Sequence, residues 1–431
     1  MRAVLRGEAL RERLEAPTSR AWLRSVAAGM GGQPTMAALR DSACWREHGA
    51  AVEELLGAVQ AGGPSGAAPA RAGASASARL RVVHWNILKG VAFDAIAEWL
   101  RDDPDLRGAD AILLNEVDVG MARSGNRHVA AELAERLGLH WAFAPSYLEL
   151  TRGTGPDLAA AGENALGLHG VALLSRGAPL ALHACPLPES FDAFAFREKR
   201  YGRRTALLAR LTPRLWVASA HLEVRGAPAG RARQMEALLE QVERRTAGQP
   251  PEAGSAGVLI GGDLNTHTFA RGGLPAAAGG LARILATPRR RLGRQLLEPW
   301  RRGREPLFDL LRRCGYAWRG FNDGRATAVE RLGRVEETTL LPRALRQGIL
   351  GERGLGGRAL DLRLDWFAGR GVEPAGPGAA RTVGAIGPGG AGAPGRPGSG
   401  AAPSDHLPIV VEVEARGLWS EDSGSSGRES G

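Results

Sequence analysis

Short apolar runs that end in a polar residue recur along this chain. RVVHWNI carries Asn86, AILLNEVD carries Glu116, LWVASAHLE carries His221 and VLIGGDLN carries Asp263 and Asn265, while IVVEV from Ile409 follows Ser404, Asp405 and His406. Runs of this length, rich in β-branched and aliphatic residues and bounded by turn formers, predict strands buried on both faces. Each polar residue therefore falls at a strand end, where α/β enzymes keep their chemistry. Between these runs, apolar residues spaced three and four apart predict helices over AFDAIAEWLRD, VAAELAERLG and RARQMEALLEQVERR. Alternation of the two periods is an α/β pattern. After Leu150 the strands GVALLSR, ALLARLT and LWVASAHL follow one another closely, which predicts mixed or antiparallel pairing.

The same reading divides the chain. Residues 1–62 read as helical, 63–78 as a Gly, Pro, Ser and Ala linker, 79–415 as the catalytic domain and 416–431 as a disordered tail. An Arg-rich stretch at 270–357 interrupts the strands, and 373–403 holds a glycine- and proline-rich loop without the strand-loop-helix frame of a phosphate cradle.

Composition adds bounds. With 44% apolar residues in 431, a sizeable core can form. A run of about twenty apolar residues is absent and the N-terminus is charged from its second residue, so the expected address is cytoplasmic, without a span or a secretory signal. Cys44, Cys185 and Cys314 lack metal-ligand spacing and read as unpaired thiols. The net charge is +10, and Lys89 and Lys199 are the only lysines. Such a bias fits a GC-rich genome as well as a phosphate-binding surface. Nucleic acid and an anionic membrane surface both stay open as partners. The run Arg289, Arg290, Arg291, Arg294, Arg301, Arg302 and Arg304 has no aromatic interleaving and reads as a solvated face.

The polar strand ends suit phosphate chemistry. A carboxylate such as Glu116 is a hard oxygen ligand for Mg²⁺ or Mn²⁺. Asp263 and Asn265 lie two apart on one side of an extended segment, a geometry able to place a water and hold a phosphoryl oxygen. Isolated histidines flanking apolar strands, His84, His140 and His183, read as packed residues.

Taken in order, NEVD at Glu116, the His-Leu pair at His221, GGDLN at Asp263 and SDHLP at His406 resemble the endonuclease/exonuclease/phosphatase superfamily of DNase I-like fold, over about residues 80–415. The resemblance implies a four-layer α/β sandwich, two mixed β-sheets flanked by helices, preceded here by the N-terminal helical segment. It implies a divalent-metal-dependent phosphoesterase acting on a phosphate-ester substrate, with a metal-dependent nuclease or a silent basic binding protein as alternatives. Glu116, Asn86 and Asp405 match the metal side. Asp263 matches the residue that prepares the water, and Asn265, His221 and His406 the groups that contact phosphate. Asp365 matches the partner of His406, with Asp361 weaker. Among second-rank candidates for substrate contact are His169, Arg123, Asn164 and Glu163. Relatives acting as abasic-site endonucleases carry an acidic residue two positions after the motif asparagine, where this chain has Leu88. The resemblance thus points away from DNA repair and toward a phosphatase or phosphodiesterase.

Overall fold

The computed structural model describes residues 4–6, 17–64, 79–247, 256–269, 274–331, 359–385 and 403–414. Most of the expected linker, the core of the glycine-rich loop and the tail lie outside the described residues. Two mixed sheets make the framework. The larger runs in the order β1 (Val4–Arg6), β2 (Val59–Gly62), β5 (His140–Glu149), β6 (Leu168–Ser175), β4 (Ala111–Val119), β3 (Arg79–Lys89), β16 (Ile409–Glu414) and β15 (Ala380–Thr382), with β8 (Arg200–Gly202) paired to β5. The smaller is β14 (Asp365–Arg370), β11 (Gly257–Asp263), β10 (Leu215–His221), β9 (Thr205–Thr212) and β7 (Ala181–Pro186). A separate ribbon pairs β12 (Ala328–Arg331) with β13 (Ala359–Leu362).

The sheets pack face to face through Val82, Leu113, Leu173, Leu207, Val217, Leu259, Phe367 and Val411. Helices Phe93–Asp102 and Val129–Leu137 cover the outer face of the larger sheet, and helices Pro228–Thr246 and Leu307–Arg313 that of the smaller. The result is the four-layer α/β sandwich. Strands buried on both faces need apolar residues at every position, which is why they read as continuous runs.

Two features differ from the sequence reading. The N-terminal segment is not wholly helical: after helices Pro17–Gly31, Met36–Asp41 and Ala43–Gly57, strand β2 pairs antiparallel with β5. Leu23, Val26, Met30, Leu39 and Val52 enter the main core. Four residues leave too little pattern to distinguish a strand from a helix end. In the Arg-rich stretch, helices Leu274–Ala286 and Arg289–Leu297 pack on the ribbon through Ile284, Leu292, Leu296, Leu360 and Leu362, forming a small second core.

Candidate active site

Strand register brings the site together. His221 at the end of parallel β10 stands beside Asp263 at the end of β11, and Asp263 stands opposite Asp365 of antiparallel β14. β10 and β11 approach so closely that a Cβ on Gly262 would lie 2.0 Å from the Ala220 carbonyl oxygen, so the glycine before Asp263 is a packing requirement. From the other sheet, His406 donates through Nδ1 to Asp365 Oδ2 at 2.7 Å, and His84 Nε2 bonds Asp365 Oδ1 at 2.9 Å. His406 Nε2 lies 3.8 Å from Asp263 Oδ2 and His221 Nε2 lies 3.5 Å from the same oxygen.

Charge follows from this packing. Burial disfavours an imidazolium at His406, but Asp365 and Asp263 together outweigh it and hold the ring well above its ordinary value. For Asp365, burial raises the carboxyl, and His406 and His84 reverse that to keep it ionised. Burial pushes Asp263 up to about 7; His406 pulls it down and Asp365 opposes that pull. The ligand-type atoms of Asp263, Asp365 and His406 all lie within 4.8 Å. Their closest pair is engaged in the 2.7 Å hydrogen bond, so the trio is a proton-holding cluster rather than a metal cradle.

Glu116 and Asp405 supply the acidic side. Glu116 sits where the β3–β4 and β4–β6 registers slip, with φ 51. A bulge of this kind re-aims a side chain, at a strain of about 1–3 kcal/mol. Burial and the neighbouring Glu116 push the Asp405 carboxyl up against the pull of His406. Asn86 uses both ends of its amide. Its Oδ1 accepts from Leu88 N at 3.1 Å, while Nδ2 donates to Glu116 Oε1 at 3.3 Å and Asp263 Oδ2 at 3.2 Å. The amide nitrogen faces the carboxylates, so Asn86 orients both.

Glu116, Arg204, His221, Asp263, Asn265, His267, Asp405 and His406 line a cleft of about 200 Å³, whose remaining wall is Val224, Ala328, Val329, Glu330, Leu362 and Leu364. Asn265 has φ 51; its backbone N–H donates to Asp263 Oδ1 at 3.0 Å and its side chain to Leu222 O at 2.9 Å. Arg204 Nη1 donates to His221 Nδ1 at 2.8 Å. Because a guanidinium only donates, His221 Nδ1 must accept, which leaves the proton on Nε2 of a neutral ring. Burial first, then Arg204, pushes His221 well below its ordinary value. A protonated His221 does not fit this contact.

Several supporting residues escaped the sequence reading. Asn115, wholly buried, accepts from Asp263 N at 2.9 Å and donates to Ser219 Oγ at 3.1 Å, joining the two sheets beneath Asp263. A polar side chain inside AILLN was the available signal. His84 was read as packed, and it is packed, but onto Asp365; its position two before Asn86 on the same strand face was the hint. Arg204, in the turn between β8 and β9, gave no signal.

None of the second-rank candidates lines the cleft. Asn164 holds a loop, accepting from Ala122 N and donating to Thr151 O. Glu163 is exposed, and its carbonyl accepts from Asn126. His169 bonds Asp118 at 2.8 Å. Arg123 is buried in carboxylates: bidentate to Asp118 at 2.7 and 3.0 Å, and bonded to Glu198 at 2.6 Å and Asp157 at 3.2 Å. Among the described residues this arginine holds structure and has no donor facing the cleft. Replacement of Arg123 by methionine is expected to strand these carboxylates and lower stability by about 3–5 kcal/mol, read as a shifted urea midpoint. Unchanged stability with a raised KM would instead return Arg123 to substrate binding. Asp118 is held down to about 2, burial being outweighed by Arg123 and His169. Its contribution is complete above the ordinary carboxylate range and disappears as pH falls through about 2.

The sequence profile described as Endonuclease/Exonuclease/phosphatase family matches residues 83–406. No curated protein matches the sequence. Similar solved structures include the human Nocturnin catalytic domain with bound sulfate, 17% identical over 78% of this chain and 93% of that chain, TM-score 0.38. Another is D. rerio TDP2 complexed with a single-strand DNA product, 14% identical over 78% and 99%, TM-score 0.38. A third is the 3′ phosphatase NExo from Neisseria bound to a product DNA hairpin, 16% identical over 77% and 98%, TM-score 0.40. Among the described residues no helix is long and apolar enough to cross a membrane.

Proposed function

This chain belongs to the endonuclease/exonuclease/phosphatase family, and from that premise we propose that it is a divalent-metal-dependent phosphoesterase that hydrolyses a phosphate ester by in-line attack of water. The observation that carries this reading is the row His221, Asp263 and Asp365 across three strands, with His406 closing it from the opposite sheet. We assign the chemistry to residues 79–415, with the N-terminal helices as a flank.

The donor set fits Mg²⁺ or Mn²⁺. Glu116 and Asp405 are hard oxygen donors, and burial and then the Glu116 charge raise Asp405; these two carboxylates would hold the ion and be relieved by its charge. Asn86 accepts from Leu88 N and turns its amide nitrogen to Glu116 and Asp263, so it holds both carboxylates in place. When bound, the ion supplies neutralisation of phosphoryl charge. The protein's own groups do the rest. Asp263, raised toward neutrality, accepts the proton of the attacking water, and the Asn86 amide and Asn265 N–H fix its two oxygens. His406, kept protonated by Asp365, presents Nε2–H to a phosphoryl oxygen. Neutral His221 presents a second N–H, its tautomer set by Arg204.

Hydrolysis of bis(p-nitrophenyl) phosphate is the test. Turnover is expected with Mg²⁺ or Mn²⁺, is abolished by EDTA and returns on adding the ion back. Turnover that survives EDTA would falsify the metal assignment.

A further inference from the structure

The arginines of the 289–304 run are exposed, apart from the half-buried Arg304. Folding gives part of this run company that the sequence does not show. Arg304 is depressed by burial and then by Arg283, Arg291 and Arg302, so these three guanidinium groups lie within electrostatic reach of it. Among the described residues no carboxylate pairs with any of the four. The nearby acids are committed elsewhere: Glu305 is buried against Arg231 at 2.6 Å, and Glu298 pairs with Arg301. Uncompensated like charges repel one another and attract an anion to the same place.

Beside them stands the aromatic group that the run itself lacks. The Arg283 guanidinium lies 4.9 Å over the Phe269 ring and donates to the Thr268 carbonyl. Phe269 is half-buried and lies parallel to His267 (10° between ring planes, centroids 6.5 Å apart), and His267 lines the cleft. A planar stack therefore leads from the reacting site to the arginines. Arginines beside a stacking ring suit a strand with separated phosphates and free base faces.

Building on the phosphoesterase reading, we propose that Phe269, Arg283, Arg291, Arg302 and Arg304 form a second binding surface for single-stranded nucleic acid, holding a base and flanking phosphates of a strand whose scissile phosphate occupies the cleft. An anionic membrane is the poorer occupant. The Phe269 ring lies parallel to His267, which lines the cleft, so it is placed to meet a base of a strand held there rather than a lipid headgroup.

The test is anisotropy of fluorescein-labelled oligothymidylate with the full chain in EDTA, where binding is read without turnover. The double variant Arg283→Glu with Arg304→Glu is expected to weaken binding at least tenfold. Its salt dependence should flatten by about 1.4 in log Kd against log salt, for two lost phosphate contacts. Phe269→Leu, which keeps the apolar contact and removes the ring face, should weaken binding about fivefold or more. The exposed pair Arg312→Glu with Arg313→Glu makes the same charge change on another helix and should leave affinity within about twofold. Unchanged binding in the first two variants, or an equal loss in the control, overturns the proposal. So does a larger effect of the first variant on phosphatidylserine vesicles than on the strand. Failure of diester hydrolysis in Mg²⁺ with strand binding still lost in these variants would overturn the catalytic reading and leave this surface standing.

Discussion

Replacing Asp263 by asparagine is expected to lower kcat for bis(p-nitrophenyl) phosphate by roughly 10²–10⁴-fold, the range lost with a general base, while the fold is kept. Asparagine has the same shape and its oxygen can still accept from Asn265 N, now at 3.0 Å from Oδ1. Stability gives an independent readout. Asp263 is pushed up to about 7 by burial, so the folded protein holds this proton more tightly than the unfolded chain does. Its ionisation therefore removes stability as pH rises from the ordinary carboxylate range through about 7. In EDTA the variant should melt higher than wild type at pH above about 7, with the difference closing near pH 4. Wild-type turnover in the variant would remove Asp263 from the mechanism.

Asp365→Asn should be nearly as damaging, with kcat down by about 10²–10³-fold. Both carboxylate oxygens are in use, one by His84 and one by His406. An amide can accept on one side only, so it opposes one of the two rings with its own N–H groups. The pH profile separates this from general damage. With protonated His406 as the proposed donor, activity is expected to fall as pH rises through its elevated pKa. Without the Asp365 charge that pKa falls, and the alkaline limb of kcat should move to lower pH. His84→Ala, which leaves the Asp365–His406 contact in place, should move the limb less. An alkaline limb in the same place for Asp365→Asn would break the assignment.

The sequence by itself determined the α/β layering and the strand ends at His221 and Asp263, whereas Asn86 and Glu116 stand inside β3 and β4 where the register slips. Strands buried on both faces must be apolar throughout, so Asn86, Glu116, His221 and Asp263 stood out against their runs, and register then placed His221 and Asp263 side by side. It also separated Asp365 from Asp361, which the structure leaves exposed on β13. Tertiary structure alone decided what each polar atom faces. Asn86 turns its nitrogen to the carboxylates because Leu88 N claims its oxygen. Burial, and then Arg204 reaching its Nδ1, keep His221 neutral, and Arg123 is withdrawn because Glu198, 75 residues away, folds against it. Hydrogen bonds and burial act over a few ångströms between residues far apart in the chain. A local pattern reports which face is apolar, but it carries no record of which distant group will arrive there.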